Sequence, residues 1–515
     1  MKGSLISMLP LLASWRVEAS MSSAAPAMSE TAAEGFLSQG KTCCAALKLA
    51  LPEKVSYAGS SSYNDSLASY WSLQEEDLRP TCVVSPTESH DVALAMALLN
   101  IGGRFLPGKC DFAVRSGGHT PFAGAANIQQ GITIDLSGLK RVSPSEDLST
   151  VTVGVGNRWA QVYSQLDALG IAIGGGRVAS VGVGGLTLGG GVSFFSPRYG
   201  FVCDEVVRFE IVLASGVLTN VTQASHPDLF KALKGGSNNF GIVTEFESMA
   251  FKQGKFWGGS IVNDISAKDA QFAAFEALAG SSNYDPYAAL INSYAFSAAE
   301  KTWIIANNIQ YTKAEENPPF FQNFTSLPQI YSTMRISNLT DFALEIAESS
   351  PSGRRQLMVT ATFANSAELM SKIFDATNAT AQTLSHVPNL AFSLTFQPMP
   401  TAITSKAAAR GGNSLGLGAA DGNLFNALLN VSWDTEADDE IIEQEAKALF
   451  AKNRASASEL GLFNEYEYLN YAADWQDPIR GYGPESVAHL RAVSRKYDPR
   501  GVFQKQLPGG FKLFD

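Results

Sequence analysis

The residues best suited to chemistry form the sequence RSGGH at 115–119, directly after a predicted strand at 112–114. Two glycines at a strand end let backbone N–H groups converge on a ligand without obstruction by a Cβ atom, as a phosphate requires. A histidine at such a turn, His119, would face the same ligand. Taken alone, this pattern more often indicates a turn with a solvated histidine, so other motifs in the chain must support its interpretation as a ligand site.

A second glycine-rich stretch, VGVGGLTLGGG, occupies residues 181–191. The strict G-x-G-x-x-G pattern of a Rossmann dinucleotide site fails because Thr187 stands where the third glycine belongs. The run from Gly174 fits only the relaxed pattern ending in Ala179, and no acidic residue follows before Asp204. Two separate glycine loops, each able to hold a pyrophosphate, favour a different nucleotide-binding fold.

The sequence GNSLG at 412–416 matches the G-x-S-x-G pattern of serine hydrolases, with Ser414 as nucleophile. Asp434 or Asp474, followed by His489, would complete a triad in the right chain order. That pattern needs a buried strand before the serine, whereas TSKAAARG precedes it here. A serine hydrolase is therefore a distant alternative, and a polar loop near a substrate is the favoured interpretation.

The sequence YLNY at 468–471 carries groups that can move or orient a proton. Asn470 offers a donor and an acceptor, and Tyr471 can accept a proton once its neighbours lower its pKa from about 10. Spacing alone fits an aromatic packing corner equally well. We predict Tyr471 as the candidate base or substrate-orienting residue.

Metal chemistry is not indicated. The histidines are dispersed along the chain, and the cysteines lack C-x-x-C spacing. They are His90, His119, His226, His386 and His489, and Cys43, Cys44, Cys82, Cys110 and Cys203. The odd cysteine count allows one disulfide beside free thiols, and sequence does not fix the pairing.

The elements that must position these groups alternate in an α+β pattern. From residue 112, short strands such as FAVR and GITIDL alternate with glycine turns, and a helical pattern covers Trp159–Leu169. From about residue 252 the glycine density falls, and longer helices at 267–279 and 367–384 alternate with strands such as KTWIIANNIQY. The pattern predicts a second α+β region, a sheet covered by helices.

Composition limits the function classes. With 515 residues, 45% of them hydrophobic, the chain can bury a large core, as about three domain-sized units or one two-lobed enzyme. The 38 basic and 49 acidic residues give a net charge of −11, which argues against nucleic acid or an anionic membrane as the main partner.

The N-terminus has the pattern of a secretory signal. Lys2 precedes an apolar run at 5–15, and small residues near position 19 suit cleavage, so we predict a signal peptide at 1–19. A poorly ordered leader is the alternative. The N-x-S/T sequons suggest a secreted glycoprotein. They lie at Asn64, Asn220, Asn323, Asn338, Asn378 and Asn430.

Together these residues resemble the berberine-bridge-enzyme-like FAD-linked oxidases of the vanillyl-alcohol-oxidase superfamily, in their fungal 6-hydroxynicotine-oxidase-like branch. The resemblance runs from about Val55 to Phe514. Its markers are YWSLQEEDLRPTCVVSP, AVRSGGHTPFAGAANI, ITIDLSGL, VGVGGLTLGGGVSFFSPRYGFVCDEV, LKGGSNNFGIVTEF, YLNYAADWQDPI and YDPRGVFQ.

The resemblance implies an α+β fold with a PCMH-type FAD-binding domain of two α+β subdomains and an α+β substrate lobe, an antiparallel sheet capped by helices. We expect the N-terminal part of the FAD domain at 20–77, the PCMH-type domain at 78–252 and the substrate lobe at 253–460. A C-terminal segment, 461–515, would return to the FAD domain.

The resemblance also implies the cofactor site. His119 would be the covalent attachment point to the flavin, the two glycine loops would hold the pyrophosphate, and residues 241–243 would lie on the adenine side. The expected FAD-binding residues are Arg115, Ser116, Gly117, Gly118, His119, Val181, Gly182, Gly184, Gly185, Leu186, Gly189, Gly190, Gly191, Tyr199, Gly241, Ile242, Val243 and Asn470. Asn470 and Tyr471 would serve catalysis.

One position departs from the doubly attached relatives. They carry a cysteine three residues before the first valine of the V-G-V-G-G run, and that position is Val178 here. Because valine has no thiol, we expect a single covalent link to FAD. In the same family Val181 resembles a gate over the flavin, where small side chains accompany oxidases. The alternative is a core residue under the glycine loop.

The function implied is an oxidase of secondary metabolism. A hydride would pass from a small organic substrate, such as an alcohol, a sugar or another metabolite, to FAD, and molecular oxygen would accept the electrons and give hydrogen peroxide. The alternatives are a flavin-dependent cyclase or dehydrogenase on the same fold, and a redox-silent binding protein that keeps FAD as structure.

Overall fold

The computed structural model describes residues 40–106, 108 and 110–514. The predicted signal peptide at 1–19 and the following residues to 39 lie outside the described residues. The fold mixes helices with sheets, and the predicted α+β class is confirmed. In the described part of the chain, no helix combines the length and the apolar character that crossing a membrane requires.

The first sheet positions the RSGGH sequence. Its strand order is β1-β2-β4-β3, and β2, β3 and β4 run parallel. Arg115, the last residue of β3, stands opposite Asp135, the last residue of β4, so the sequence that follows leaves the carboxyl edge of the sheet. The strands are β1 (Val55–Ser56), β2 (Cys82–Val84), β3 (Phe112–Arg115) and β4 (Ile132–Asp135).

The second sheet is antiparallel, with the order β5-β6-β10-β8-β9. Ile242 opens β10 opposite Val212, which ends β8, so the predicted adenine-side residues lie at a sheet edge. The strands are β5 (Val142–Pro144), β6 (Thr150–Gly154), β8 (Val206–Val212), β9 (Leu218–Val221) and β10 (Ile242–Met249), with a separate pair of β7 (Ile171–Ala172) and β11 (Phe251–Lys252).

The third sheet is large and antiparallel, with the order β15-β12-β14-β13-β18-β19-β17-β20, and β16 pairs with β12. Side chains alternate between its two faces, as in any strand. In β13, Leu290 and Tyr294 point to the covering helices, whereas Ser293 points to the opposite side. The strands are β12 (Phe256–Asp264), β13 (Ala288–Ser297), β14 (Thr302–Tyr311), β15 (Gln329–Ser332), β16 (Arg335–Ser337), β17 (Arg355–Ala364), β18 (Ala391–Met399), β19 (Leu424–Trp433) and β20 (Phe463–Asn464).

Helices follow the predicted positions closely. Predicted helical stretches at 159–169, 267–279 and 367–384 correspond to Trp159–Asp167, Lys268–Ala279 and Ala367–Thr383. The last two, with Asp439–Glu459, bury their apolar faces against the third sheet. The other α-helices of the described residues are Lys41–Ala50, Ser61–Leu67, Leu73–Glu76, Ser89–Phe105, Val183–Leu188, Ser196–Tyr199, Pro227–Leu233, Gln322–Thr325, Leu339–Ala347, Thr401–Thr404, Gly483–Tyr497 and Val502–Lys505.

Two large cores hold these layers together. One joins the first two sheets and also takes in apolar side chains from the C-terminal stretch, among them Tyr468, Leu490 and Phe503. The other lies between the third sheet and its helices. The helix Leu339–Ala347 packs Phe342 into the first core although its neighbours in sequence belong to the third sheet, so this helix anchors the segment between β16 and β17 to the first core.

The cysteines form more disulfides than the single one that the sequence analysis allowed. Cys43 pairs with Cys110, and Cys44 pairs with Cys82. Cys203 remains free and buried. Sequence could not give this pairing because the adjacent Cys43 and Cys44 point to different partners, one beyond the helix Ser89–Phe105 and one on β2.

Candidate functional site

A cavity of about 700 Å³ lies between the glycine loops and the uncovered face of the third sheet. It brings together most of the residues that the sequence analysis singled out. They are Ser116, Gly117, Gly118, His119, Val181, Gly182, Gly184, Gly185, Leu186, Gly241, Ile242, Val243, Asn470 and Tyr471. The predicted roles of these residues stay predictions, but their common location is a property of the fold.

The two glycine loops meet through their backbones. A Cβ atom on Gly117 would lie 2.3 Å from the Cα of Gly182, and one on Gly182 would lie 2.4 Å from the nitrogen of Gly117. The Ser116 hydroxyl stabilises the same contact between the loops, because it donates to the Val155 carbonyl at 2.6 Å and accepts from the Gly184 N–H at 3.1 Å. Glycine is therefore required at both positions for the loops to share one wall.

His119 lies where the loops face the cavity. Its ring stacks on Trp71, and its Nε2 lies 3.2 Å from the Ser180 hydroxyl. Burial and the nearby Arg158 cation lower the pKa of His119 to about 3. The imidazole is therefore neutral at physiological pH, with a lone pair available for bonding.

Five of the predicted cofactor residues lie outside the cavity wall: Arg115, Gly189, Gly190, Gly191 and Tyr199. Arg115 lies behind the loop, where it stacks on Tyr70 and forms an ion pair with Asp135 at 3.5 Å. Tyr199 stacks on Phe251, with ring centroids 4.3 Å apart. Both side chains therefore support the fold from positions that face away from the cavity.

The turn at 189–191 supports the site indirectly. The Gly190 and Gly191 carbonyls accept from the N–H groups of Cys203 and Val202, so this backbone faces the core. A Cβ atom on Gly189 would lie 2.0 Å from the Asn470 side-chain oxygen. The glycine thus leaves the room that the Asn470 amide occupies.

The YLNY sequence lies against the second glycine loop. Asn470 donates from Nδ2 to the Leu186 carbonyl and to the Tyr468 hydroxyl, both at 3.1 Å. The Tyr468 hydroxyl also accepts from the Val192 N–H at 2.9 Å, and burial raises the pKa of Tyr468 above its ordinary value. Tyr468 is therefore held as a neutral phenol.

Tyr471 has a different environment. Its hydroxyl accepts from Nη2 of Arg177 at 2.9 Å and lies 3.4 Å from Nε2 of Gln397, and Arg177 also donates to the Gln397 carbonyl oxygen. Of the two tyrosines, Tyr471 is thus the one whose hydroxyl contacts a cation in the cavity wall.

Sequence reasoning missed several residues of the wall. Arg177 stands between the two glycine-rich runs, and a charged residue there was a usable signal. Gln397 lies on β18, where no local pattern marks it, and Trp71 lies in the marker YWSLQEEDLRPTCVVSP, which did not indicate its contact with His119. Glu75, fully buried, accepts from the N–H groups of Ala126 and Gly124 and so holds the loop beside the cavity.

The geometry suits a long nucleotide with a flat ring. The N–H groups of Gly117, Gly118 and His119 donate to no backbone carbonyl in the part of the chain that the structure describes. A Cβ atom on Gly185 would meet nothing within 4 Å, so that backbone is open to a ligand. Backbone N–H donors on a wall without Cβ atoms, next to a neutral histidine, fit the FAD that the sequence predicts.

Among the described residues, no group of three or more His, Cys, Asp or Glu is placed to hold a metal ion.

The serine hydrolase alternative is wrong. Ser414 is fully buried, and its hydroxyl donates to the Lys231 carbonyl at 3.0 Å. His489 bonds to the Asp228 carbonyl rather than to Asp434 or Asp474, and Asp434 pairs with Arg354, so Ser414 and His489 do not form a triad with either aspartate. The G-x-S-x-G match is a coincidence of a glycine-rich loop.

The comparisons with known proteins agree with the site. Residues 80–222 match the model of the FAD binding domain family. The chain is 40% identical over 476 residues to the FAD-dependent monooxygenase sdcF of Emericella nidulans, covering 92% of this chain and 98% of that protein. It is 38% identical to the FAD-dependent monooxygenase CTB5 of Cercospora beticola, covering 94% of each.

Solved structures share the fold at low identity. The 6-hydroxy-D-nicotine oxidase of Arthrobacter nicotinovorans superimposes with a TM-score of 0.72 at 20% identity, covering 87% of this chain and 96% of that one. The glucooligosaccharide oxidase of Acremonium strictum, described with a 6-S-cysteinyl, 8α-N1-histidyl FAD, gives a TM-score of 0.72 at 19% identity. It covers 89% of this chain and 97% of that one.

Proposed function

The chain belongs to the FAD-linked oxidoreductases with the berberine-bridge-enzyme-like, PCMH-type fold, and from that premise we propose that it oxidises a small organic metabolite with covalently held FAD. The electrons pass to molecular oxygen, which leaves as hydrogen peroxide. When bound, FAD supplies the acceptor for a hydride from a substrate carbon.

The position and charge state of His119 carry this proposal. A covalent bond to the flavin requires an imidazole with a free lone pair, and the lowered pKa of His119 keeps the ring neutral. The stacked Trp71 and the Ser180 hydroxyl hold the ring in one orientation against the cavity. We therefore assign the covalent link to His119.

The link is single in this proposal. The oxidase of Acremonium strictum is described with a cysteinyl bond as well as a histidyl bond. Val178 lies in the cavity wall here and has no sulfur to offer. A digest of the purified protein should therefore yield one flavin-bearing peptide, and that peptide should contain His119.

Tyr471 removes the substrate proton. Oxidation of an O–H or N–H substrate releases a proton as the hydride leaves carbon, and an acceptor within hydrogen-bond reach speeds that step. Arg177 and Gln397 hold the Tyr471 hydroxyl in place, and Asn470 fixes the segment that carries it. Arg177 and Asn470 are positioning residues for that base.

Monooxygenation is the second candidate, because the fungal relatives are named FAD-dependent monooxygenases. A flavoprotein cyclase or dehydrogenase of natural-product biosynthesis is the remaining alternative. The three differ in the fate of oxygen: an oxidase reduces it to peroxide, a monooxygenase places one atom in the product, and a dehydrogenase does not consume it.

We also propose that the protein enters the secretory pathway. Disulfides persist in oxidising compartments, and this chain pairs Cys43 with Cys110 and Cys44 with Cys82. The alternative is a cytoplasmic enzyme.

The decisive experiment is an absorption spectrum of the purified protein before and after acid precipitation. Flavin absorbance that remains in the pellet supports the covalent link, and a colourless protein overturns the proposed function. Once a substrate is found among fungal metabolites, peroxide yield and incorporation of oxygen-18 from labelled O₂ separate an oxidase from a monooxygenase.

A further inference from the structure

Arg177 is a cation in the cavity wall without an anionic partner. The residue is 8% exposed, and no described carboxylate lies within ion-pair distance of it. A buried charge without a partner is costly, so such groups are paired with an opposite charge or with a ligand. The missing partner is therefore expected among the molecules that enter the cavity.

The other formal charge in the described cavity wall is already compensated. Glu345 lines the cavity, but its carboxylate pairs with Arg335 and accepts from the hydroxyls of Ser260 and Thr333 at 2.9 and 2.6 Å. Arg158, next to His119, also lacks a carboxylate partner among the described residues, but it lies outside this wall, where it donates to the carbonyls of Ser180 and Ser69 at 2.6 and 2.9 Å. Among the described lining residues, Arg177 is thus the formal charge left uncompensated.

The hydrogen bonds of Arg177 leave part of the guanidinium free. Only its Nη2 donates to described residues, namely Gln397 and Tyr471, and both acceptors are neutral. A guanidinium carries five N–H donors. The donors on Nε and Nη1 have no acceptor among the described residues, so a carboxylate can accept from one of them while its charge offsets that of the guanidinium.

We propose that Arg177 binds a carboxylate of the substrate, so that the enzyme acts on an organic acid. This inference rests on the proposed function, because it places the acid beside Tyr471, the candidate base. The other residues of the cavity wall indicate which carbon skeleton and functional groups that acid would carry. The third sheet contributes uncharged polar groups, Ser293, Thr395 and Asn430, beside apolar ones such as Ile291 and Phe392. These suit an aromatic or extended carbon skeleton with hydroxyl or carbonyl groups.

Calorimetric titration of the flavin-loaded protein tests the inference without turnover. The probes are benzoate and 4-hydroxybenzoate, each matched with its neutral amide. We expect the carboxylates to bind the wild type more tightly than the amides, and Arg177→Gln to weaken the carboxylates by about 10- to 100-fold while the amides change by less than about twofold. Arg177→Lys should recover part of the loss.

Arg198→Gln is the matched control. Arg198 is a partly buried arginine with neutral partners, Gln253 and Thr312, and it lies outside the cavity wall. Its replacement should leave carboxylate binding unchanged. If Arg177→Gln does not fold, the comparison of acids with amides in the wild type and in Arg177→Lys decides the question.

Three results would overturn the inference. Acids that bind no better than their amides, including acids that do not bind at all, exclude a carboxylate site. Equal losses for acids and amides in Arg177→Gln indicate a role in cavity shape. A shift of the flavin reduction potential in Arg177→Gln with unchanged acid affinity indicates that the cation faces the flavin. Failure of the proposed function would give a different result, because a protein without bound flavin or redox activity would still bind acids through Arg177.

Discussion

The ring of Trp71 lies face to face with that of His119, with centroids 4.3 Å apart and planes 11° from parallel. Trp71 comes from the N-terminal segment, whereas His119 follows β3, so the contact joins parts of the chain that are distant in sequence. The stack prevents the imidazole from turning about its long axis. A side chain that must form one bond with one atom of a cofactor benefits from such restraint.

The first prediction concerns the flavin link. His119→Ala should fold and bind FAD, but release the yellow chromophore on acid precipitation, and its flavin should be reduced more slowly by substrate. His386→Ala, which replaces an exposed histidine far from the cavity, should keep the colour in the pellet. A peptide map with unmodified His119 in a protein that still holds flavin covalently would falsify the assignment.

The second prediction concerns the base. Tyr471→Phe should slow flavin reduction about 10²- to 10⁴-fold, the usual worth of general-base help, without loss of FAD. The measurement is stopped-flow reduction without oxygen. Tyr199→Phe, outside the cavity, is the control and should reduce at the wild-type rate. A change within about twofold in Tyr471→Phe would exclude Tyr471 as the base.

The third prediction concerns oxygen access. Val181 lines the cavity, and its backbone is fixed by bonds to Val178 and Trp159. One extra methylene in a closely packed wall can close a narrow path, so Val181→Leu should slow reoxidation of the reduced flavin by air and leave anaerobic reduction nearly intact. Equal loss in both half-reactions would mean general disruption of the loop, and no change in either would mean that oxygen enters elsewhere.

The fourth prediction is a pH dependence of stability that originates at Glu75. Burial raises the pKa of Glu75 from 4.5 to about 8, against the lowering effect of backbone N–H groups at 124–127. Between those two values the folded protein holds a proton that the unfolded chain has lost, so stability falls as pH rises through this range. The loss is at most about 5 kcal/mol.

Thermal unfolding across that range measures the effect. The melting temperature of the wild type should fall more steeply with rising pH than that of Glu75→Gln, which has no proton to lose. Glu53→Gln, at an exposed position, should follow the wild type. Parallel pH profiles for the wild type and Glu75→Gln would show that Glu75 titrates normally.

The fifth prediction concerns processing in the native host. We expect cleavage after residue 19 and glycans at Asn64, Asn220 or Asn323, whose side chains are exposed. Asn430 should carry none, because it lies on β19 and faces the cavity. Intact-mass and glycopeptide analysis of native material tests both points. An N-terminal Met1 and no shift with endoglycosidase would indicate a cytoplasmic enzyme.

The parts of the site that follow from local sequence were predictable. A few adjacent residues are enough to recognise glycines that allow backbone contact, as at Gly117 and Gly182. The same is true of a histidine directly after a strand. The family resemblance placed Arg115 and Tyr199 in the site, yet their side chains point to Asp135 and Phe251. The direction in which a side chain points depends on tertiary contacts, and a local sequence pattern does not contain them.

The same reason explains the residues that were missed. Gln397 reaches Tyr471 only because β18 lies across the cavity from the C-terminal segment, and Glu75 reaches Ala126 only because the chain folds back over the first sheet. The order and antiparallel pairing of the third sheet likewise came from contacts between distant strands. Such relationships are fixed by packing of the whole chain.

The cavity wall includes Leu507, Gly510 and Phe511 beside the two glycine loops, although these residues are distant from the loops in sequence. Enclosure of the cavity therefore depends on a segment that carries none of the glycine motifs. A truncation before Leu507 would leave one side of the cavity open to water even with every glycine in place.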